Sequence, residues 1–164
     1  MFGGWYDAPG AIETIGKCKK IWDSEVTKEA DNVTDVLYLV DPQNMYYVND
    51  IRPDCGKFDE KIHHLLNHSG TPHTFASFND LEKLDMSGFK LVVMCHPFEL
   101  NAEKTEILEQ YVMNSGRTIL WIYGPGIINN GKWDPDHVKK VCGTAYKTPG
   151  VNRVRMNGWN SVYV

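Results

Sequence analysis

The sequence predicts an α/β fold, a three-layer sandwich on a central parallel sheet. Three observations carry that expectation. Residues 35–41 (DVLYLVD), 89–95 (FKLVVMC) and 118–123 (TILWIY) are apolar at successive positions rather than alternate ones, as strands covered on both faces are. Stretches with apolar residues three or four apart lie between such runs, the spacing of one helix face. Each run also stops at a breaker, at Pro42, Pro97 or the Gly124-Pro125-Gly126 turn.

The elements follow in order. Ile12, Ile15, Cys18, Trp22, Val26 and Ala30 predict an amphipathic helix over 9–30, with Pro9 suited to its first turn. Strand 35–41 then opens into a loop that holds Asp41, Gln43 and Asn44, followed by Tyr46 and Tyr47. Helical spacing returns at Phe58, Ile62, Leu65 and Leu66, and Ser69-Gly70 supplies the stop. A short strand is expected over 73–78, with Asn79-Asp80 capping a brief helical turn. After strand 89–95, Asn101 precedes Ala102, Ile107, Leu108, Tyr111 and Val112 in helical register, ending toward Gly116. Strand 118–123 follows, and Asp134-Pro135 starts a helix through Val138 and Val141 toward Gly143. The tail, 151–164, alternates like a strand. This alternation of strand and helix, joined by right-handed crossovers, predicts a flavodoxin-like strand order with both faces covered.

Composition limits the function. At 164 residues, 42% hydrophobic and 23% charged, the chain can bury one core. A formal charge of -4 gives no cationic footprint for nucleic acid. No apolar run approaches the roughly 20 residues of a membrane span, and the first residues lack the regions of a signal peptide. A soluble chain with no address is expected, its location unknown. Cys18, Cys55, Cys95 and Cys142 lie far apart without CxxC spacing, so thiols are expected and three pairings stay open if the protein is secreted. No cofactor is expected, because the glycines form neither GxGxxG nor a P-loop.

The end of strand 118–123 is the most telling position. Open α/β sheets place ligands and catalytic groups there, and hydrolases expose a nucleophile on a sharp elbow at such a junction. Here stand Tyr123, Gly124, Pro125 and Gly126. That points away from an enzyme and toward a scaffold or interaction domain. Asp41, Asn44, Tyr46, His96, Tyr123, Gly124 and Gly126 should gather at the carboxyl edge as a candidate ligand crevice, with a purely structural crevice the favoured reading.

The catalytic alternative is Cys95-His96, a strand-end thiol beside an imidazole. Pro97 blocks a helix from starting there, which removes the dipole that lowers a thiol pKa, so a buried strand-end Cys is preferred. His64 and His68 are four apart, the spacing at which two imidazoles share a metal, and His63 adds a third nitrogen. Without an HExxH pattern a solvated helix face is preferred, and no metal is expected. The acidic pairs Asp59-Glu60 and Glu103 with Glu106 read as helix N-terminal charges. Trp5 and Tyr6 near one end and Trp159 near the other are candidate interface anchors. Both ends look cut, so 1–30 is expected to lead from a preceding domain into an α/β domain at 31–164.

Several segments read together resemble a known family: MFGGWYDAPG, DVLYLVDPQNMYYV, and the long stretch from GTPHTFASFND through SGFKLVVM to WIYGPGII. They are similar to the middle domain of family 42 β-galactosidases and related glycoside hydrolases. In that family a catalytic barrel is followed by a domain with the class I glutamine amidotransferase fold, called the trimerisation domain. The resemblance implies a flavodoxin-like, amidotransferase-like α/β domain whose nucleophile position is filled by Tyr123-Gly124. It implies catalytic carboxylates on the parent's barrel, carbohydrate reached only through that parent, and homo-oligomerisation as dimer or trimer.

Overall fold

The structure, a computed structural model, describes residues 8–28, 33–47 and 58–164. The chain divides into two compact units, Met1–Asn32 and Val33–Val164. The first holds helix α1, Pro9–Glu25. Proline suits its first turn, and exposed Glu13–Lys17 and Lys19–Asp23 pairs at 2.7 and 2.8 Å brace successive turns. The helix stops short of the expected residue 30, and 29–32 lie outside the described residues. None of its side chains is buried, and Ile12, Ile15, Trp22 and Val26 stay exposed.

The second unit is built on β1 (Val36–Val40), β2 (His73–Ser77), β3 (Leu91–Cys95), β4 (Thr118–Ile122), β7 (Asn152–Arg155) and β8 (Asn160–Tyr163). Among the described residues they form one six-stranded sheet in the order β2-β1-β3-β4-β8-β7. The strands from β2 to β8 are mutually parallel, which is the flavodoxin order with β8 in fifth place. Helices α2 (Phe58–His68), α3 (Ala102–Tyr111) and α4 (Pro135–Cys142) make the outer layers.

Period-two side-chain alternation explains the uninterrupted apolar runs. Leu37, Leu39, Val92, Met94, Ile119 and Trp121 point to one face, where they meet Leu108 and Val112 of the α3 end and Val138 and Val141 of α4. Val36, Tyr38, Val93 and Cys95 point to the other, under Ile62 and Leu66 of α2. Each fully buried Leu or Val contributes about 1.5–3 kcal/mol relative to exposure, so a slip of one residue would exchange the two layers.

Local chemistry sets the ends. Asn101 caps α3 by accepting from Lys104 N at 2.9 Å, and Asp134 caps α4 by accepting from His137 N at 3.2 Å. Gly143 closes α4 in the left-handed region. The expected turn at 79–80 is a 3-10 helix, Phe78–Lys83, capped by Ser77.

Three expectations need correction. Residues 89–90 precede β3 as a loop, because Lys90 N and Leu91 N both donate to Asp35 O, at 2.8 and 3.0 Å. The tail is a hairpin, not one strand: the chain turns at Gly158, so β8 lies parallel to β4 while β7 runs antiparallel at the edge. The sheet is therefore mixed, and exposed Arg153 and Arg155 place charge on that edge. Trp159, expected at an interface, is 6% exposed and packs edge-on against Trp121, with ring centres 6.3 Å apart. It anchors this unit's own core. Trp5 and Tyr6 lie outside the described residues.

A short excursion follows β4. Ile128–Asn129 (β5) pairs with Lys132–Trp133 (β6) around Asn130-Gly131, both at positive φ, the pairing a two-residue hairpin turn demands.

Candidate functional site at the carboxyl edge

The loops after β1, β3 and β4 meet at the carboxyl edge of the sheet. Asp41 follows β1 and is the most constrained of the candidates. One of its oxygens accepts from Gln43 N at 3.0 Å and the other from Lys104 Nζ at 2.6 Å. The two side chains are 1% and 11% exposed. A charge pair so far from water holds because both partners are present and hydrogen-bonded.

Asn44 sits in the 3-10 helix Pro42–Tyr47 and is 1% exposed. Its N–H donates to Asp41 O at 3.1 Å, and its Oδ1 accepts from Glu99 N at 3.0 Å, tying the loop after β1 to the loop after β3. Its Nδ2 is buried, with no hydrogen-bond partner among the described residues. Tyr46 points outward, 88% exposed. Beside it the Tyr47 phenol is pushed up, first by desolvation, then by a hydrogen bond to Glu99 and by the Glu99 and Asp41 charges.

Beyond β3, His96 is 5% exposed and adopts φ 37°, with its N–H donating to Ile122 O at 2.8 Å. Its ring stacks on Phe98 at 5.3 Å, and Phe98 in turn meets Tyr123 edge-on at 5.8 Å. Cys95 belongs to the other layer. Its side chain points into the cluster of Val36, Tyr38 and Val93 under α2, 5% exposed. Sequence neighbours Cys95 and His96 thus sit in different surroundings, the sulfur in the layer under α2 and the imidazole against Phe98.

Beyond β4 the chain makes the elbow the sequence implied. Tyr123 takes φ 67°, a conformation rare for a bulky aromatic, and stays half exposed. The turn after β4 thus presents a phenol. Gly124, Pro125 and Gly126 are buried. Gly126 N donates to Pro97 O, while Gly126 O meets His137 Nδ1, each at 2.8 Å. A Cβ on Gly124 would meet Ile127 and Tyr146 at 3.2 and 3.3 Å. Asp41, Asn44, His96, Gly124 and Gly126 are buried at this edge, while Tyr46 and Tyr123 are exposed there. The residues that bring them together are those of the loop after β3, namely Pro97, Phe98 and Glu99.

The histidines sit elsewhere. His64 and His68 on α2 have ring centres 4.2 Å apart, whereas His63 stacks on Tyr38 at 6.2 Å and tilts against Phe75 at 5.7 Å. His63 is thus not the third nitrogen of that pair. Among the described residues no group of three or more His, Cys, Asp or Glu could hold a metal. Glu103 and Glu106 are exposed on α3. A separate cavity of about 410 Å³ opens between α3 and α4, lined by Thr105, Glu109, Met113, Lys140, Val141 and Trp159 among others. None of the carboxyl-edge candidates lines it.

Sequence reasoning missed two buried cations. Lys104 stands four residues before buried Leu108, the signal that its side chain points inward. Arg117 is 8% exposed and donates to the carbonyls of Met86, Phe89 and Tyr111, at 2.6, 3.1 and 3.3 Å, and to Asn114. Desolvation pulls its guanidinium below its usual value. Little in its sequence surroundings marks this, because most of its partners are main-chain oxygens.

No family model matches the sequence, and no curated protein matches it. Solved structures do resemble the fold. A β-galactosidase from Bacillus circulans sp. alkalophilus is similar over 91% of this chain, with 13% identity and a TM-score of 0.61. Gan42B, a GH42 β-galactosidase, is similar over 95% at 20% identity and a TM-score of 0.54, and its catalytic mutant from G. stearothermophilus gives the same values. This chain spans about a quarter of their length, 23% and 25%. The fold is that of one region of these larger chains. No described helix is long and apolar enough to cross a membrane.

Proposed function

We propose that this chain is a non-catalytic accessory domain of a glycoside-hydrolase-like protein of the β-galactosidase type. The observation that carries the reading is the elbow after β4, where backbone geometry suited to a nucleophile bears Tyr123 at φ 67°. A phenol with an ordinary pKa near 10 is a poor nucleophile at neutral pH, and no thiol or hydroxyl stands in its place. Around it stand the buried Asp41–Lys104 pair and buried glycines. Such an edge supports a framework rather than turnover.

The likeness to part of the β-galactosidase chains supports a parent with a catalytic barrel, on which the two carboxylates of a glycosidase would sit. On this reading the domain holds domains or subunits together, as an amidotransferase-like trimerisation domain does, and sugar is met only through the parent. Its partners are the barrel and further copies of the chain.

The test uses the 164-residue chain. Sedimentation at high micromolar concentration is expected to show dimers or trimers, and no hydrolysis of a nitrophenyl β-galactoside or of glutamine should be measurable. Turnover of either substrate that disappears in Cys95→Ser would overturn the reading in favour of a stand-alone thiol enzyme. Quenching of Trp fluorescence by galactosides would favour a carbohydrate-binding module instead.

A further inference from the structure

We propose that His64 and His68 form a chelating site for a divalent transition metal ion, with copper(II) or nickel(II) preferred over zinc(II). The inference is independent of any glycosidase parent. Residues four apart on a helix stand one above the other, and here both rings are exposed on α2 with centres 4.2 Å apart and planes at 44°. Neither ring enters a hydrogen bond or ion pair among the described residues. Nothing has to be broken for both to turn a nitrogen toward one ion.

The spacing discriminates among metals. A metal–imidazole bond of about 2.0–2.1 Å, with the ring centre about 1.1 Å behind the nitrogen, puts each ring centre about 3.2 Å from a shared ion. Centres 4.2 Å apart then subtend about 80° at that ion. This is close to the right angle between neighbouring ligands in the square-planar or octahedral geometries that copper(II) and nickel(II) adopt. The affinity order places copper(II) above zinc(II) as well.

The site is a two-imidazole chelate. His63 is held against Tyr38 and Phe75 and approaches His73 at 5.9 Å, so it belongs to a different cluster. The remaining coordination positions face solvent, open to water or to a donor from a partner molecule. The charged groups nearby on α2 are Glu60, one turn before His64, and Lys61. The inner face of the helix sets apolar Ile62 and Leu66, with His63, against the sheet.

Titration calorimetry with nickel(II) at pH 7.5 tests the proposal, using the Cys18→Ser chain because Cys18 is an exposed thiol that would compete. One ion should bind per chain. His64→Ala and His68→Ala should each weaken binding at least tenfold, while His63→Ala should not change it. Circular dichroism verifies that each variant keeps its helices, and broadening of amide resonances by copper(II) locates the ion. Unchanged affinity in either single variant, broadening centred away from 64–68, or tighter binding of zinc than of nickel and copper would each overturn the proposal.

Discussion

The Lys104 ammonium lies 2.6 Å from the Asp41 carboxylate, in a pair almost wholly removed from water. The contact ties the start of α3 to the end of β1, across 63 residues of sequence. Removing one partner leaves the other charged and desolvated, which costs about 3–5 kcal/mol. Lys104→Met should therefore lower stability by about that amount in urea melts, whereas Asp41→Asn combined with Lys104→Met should recover most of the loss. A single variant within about 1 kcal/mol of the parent chain would show that water reaches the pair.

Gly126 carries a second constraint at the same edge. It sits at φ 67°, and a Cβ there would stand 2.9 Å from Val141 Cγ2 and 3.0 Å from His137 Nδ1. Left-handed backbone costs an L-residue about 1–2 kcal/mol, and forced repacking costs about 1–3 kcal/mol more. Gly126→Ala is expected to destabilise by about 2–5 kcal/mol. Gly131→Ala, also at positive φ but with nothing near its added methyl, should show the backbone cost alone.

Much of this fold was legible in the sequence because each parallel strand is covered on both faces. That burial produced the uninterrupted runs DVLYLVD, FKLVVMC and TILWIY, and the caps Asn101 and Asp134 marked the helices that follow. The tail misled because β7 and β8 share one alternating pattern through their turn, and only Gly158 hints at the reversal. The Asn130-Gly131 hairpin had a readable dipeptide signal. At the site, the elbow was visible from Tyr123 and its glycines. The buried cations were not, because Lys104 beside Asp41 and Arg117 at the opposite, amino edge of the sheet read as ordinary surface cations until α3 and the strand ends fix where they point.

Arg117 makes that point measurable. Its guanidinium joins the segment before β3 to the end of α3 through carbonyl oxygens that would otherwise lack this donor. Hydrogen bonds to charged groups contribute about 1.5–3 kcal/mol each before coupling among them is counted. Arg117→Ala is expected to lose at least about 3 kcal/mol. Arg117→Lys should lose most of the same, because an ammonium cannot span separate acceptors as the planar fork does. Full rescue by lysine would show that only the charge matters.

Alkaline pH should expose the two buried acids of the α4 side. Desolvation raises Cys142 above 9.0 and Tyr163 above 10.0. The native state then keeps protons that the unfolded chain has already released, so unfolding free energy falls as pH rises. Their contribution is complete below the unfolded values and is lost as pH climbs through the raised native ones. Denaturation midpoints between pH 8 and 11 should decline, and Cys142→Ala should flatten the slope above pH 9 even where its absolute stability is lower. An identical slope in the variant would mean that Cys142 ionises as freely in the fold as outside it.

The thiols provide the last discrimination between framework and enzyme. Cys18 is exposed on α1, while Cys95 is packed among Val36, Tyr38 and Val93 and Cys142 is wholly buried. A catalytic thiol is accessible and acidic, and a structural one waits for the chain to open. Under native conditions a maleimide should therefore label Cys18 within minutes. Cys95 and Cys142 should react only at the rate of unfolding, at least a hundredfold slower by peptide mapping, with both accelerating together in urea. If Cys95 were modified as fast as Cys18 in the folded chain at neutral pH, the strand-end sulfur would have to be reachable and activated, and the reading of a spent elbow beside an inert core would fail.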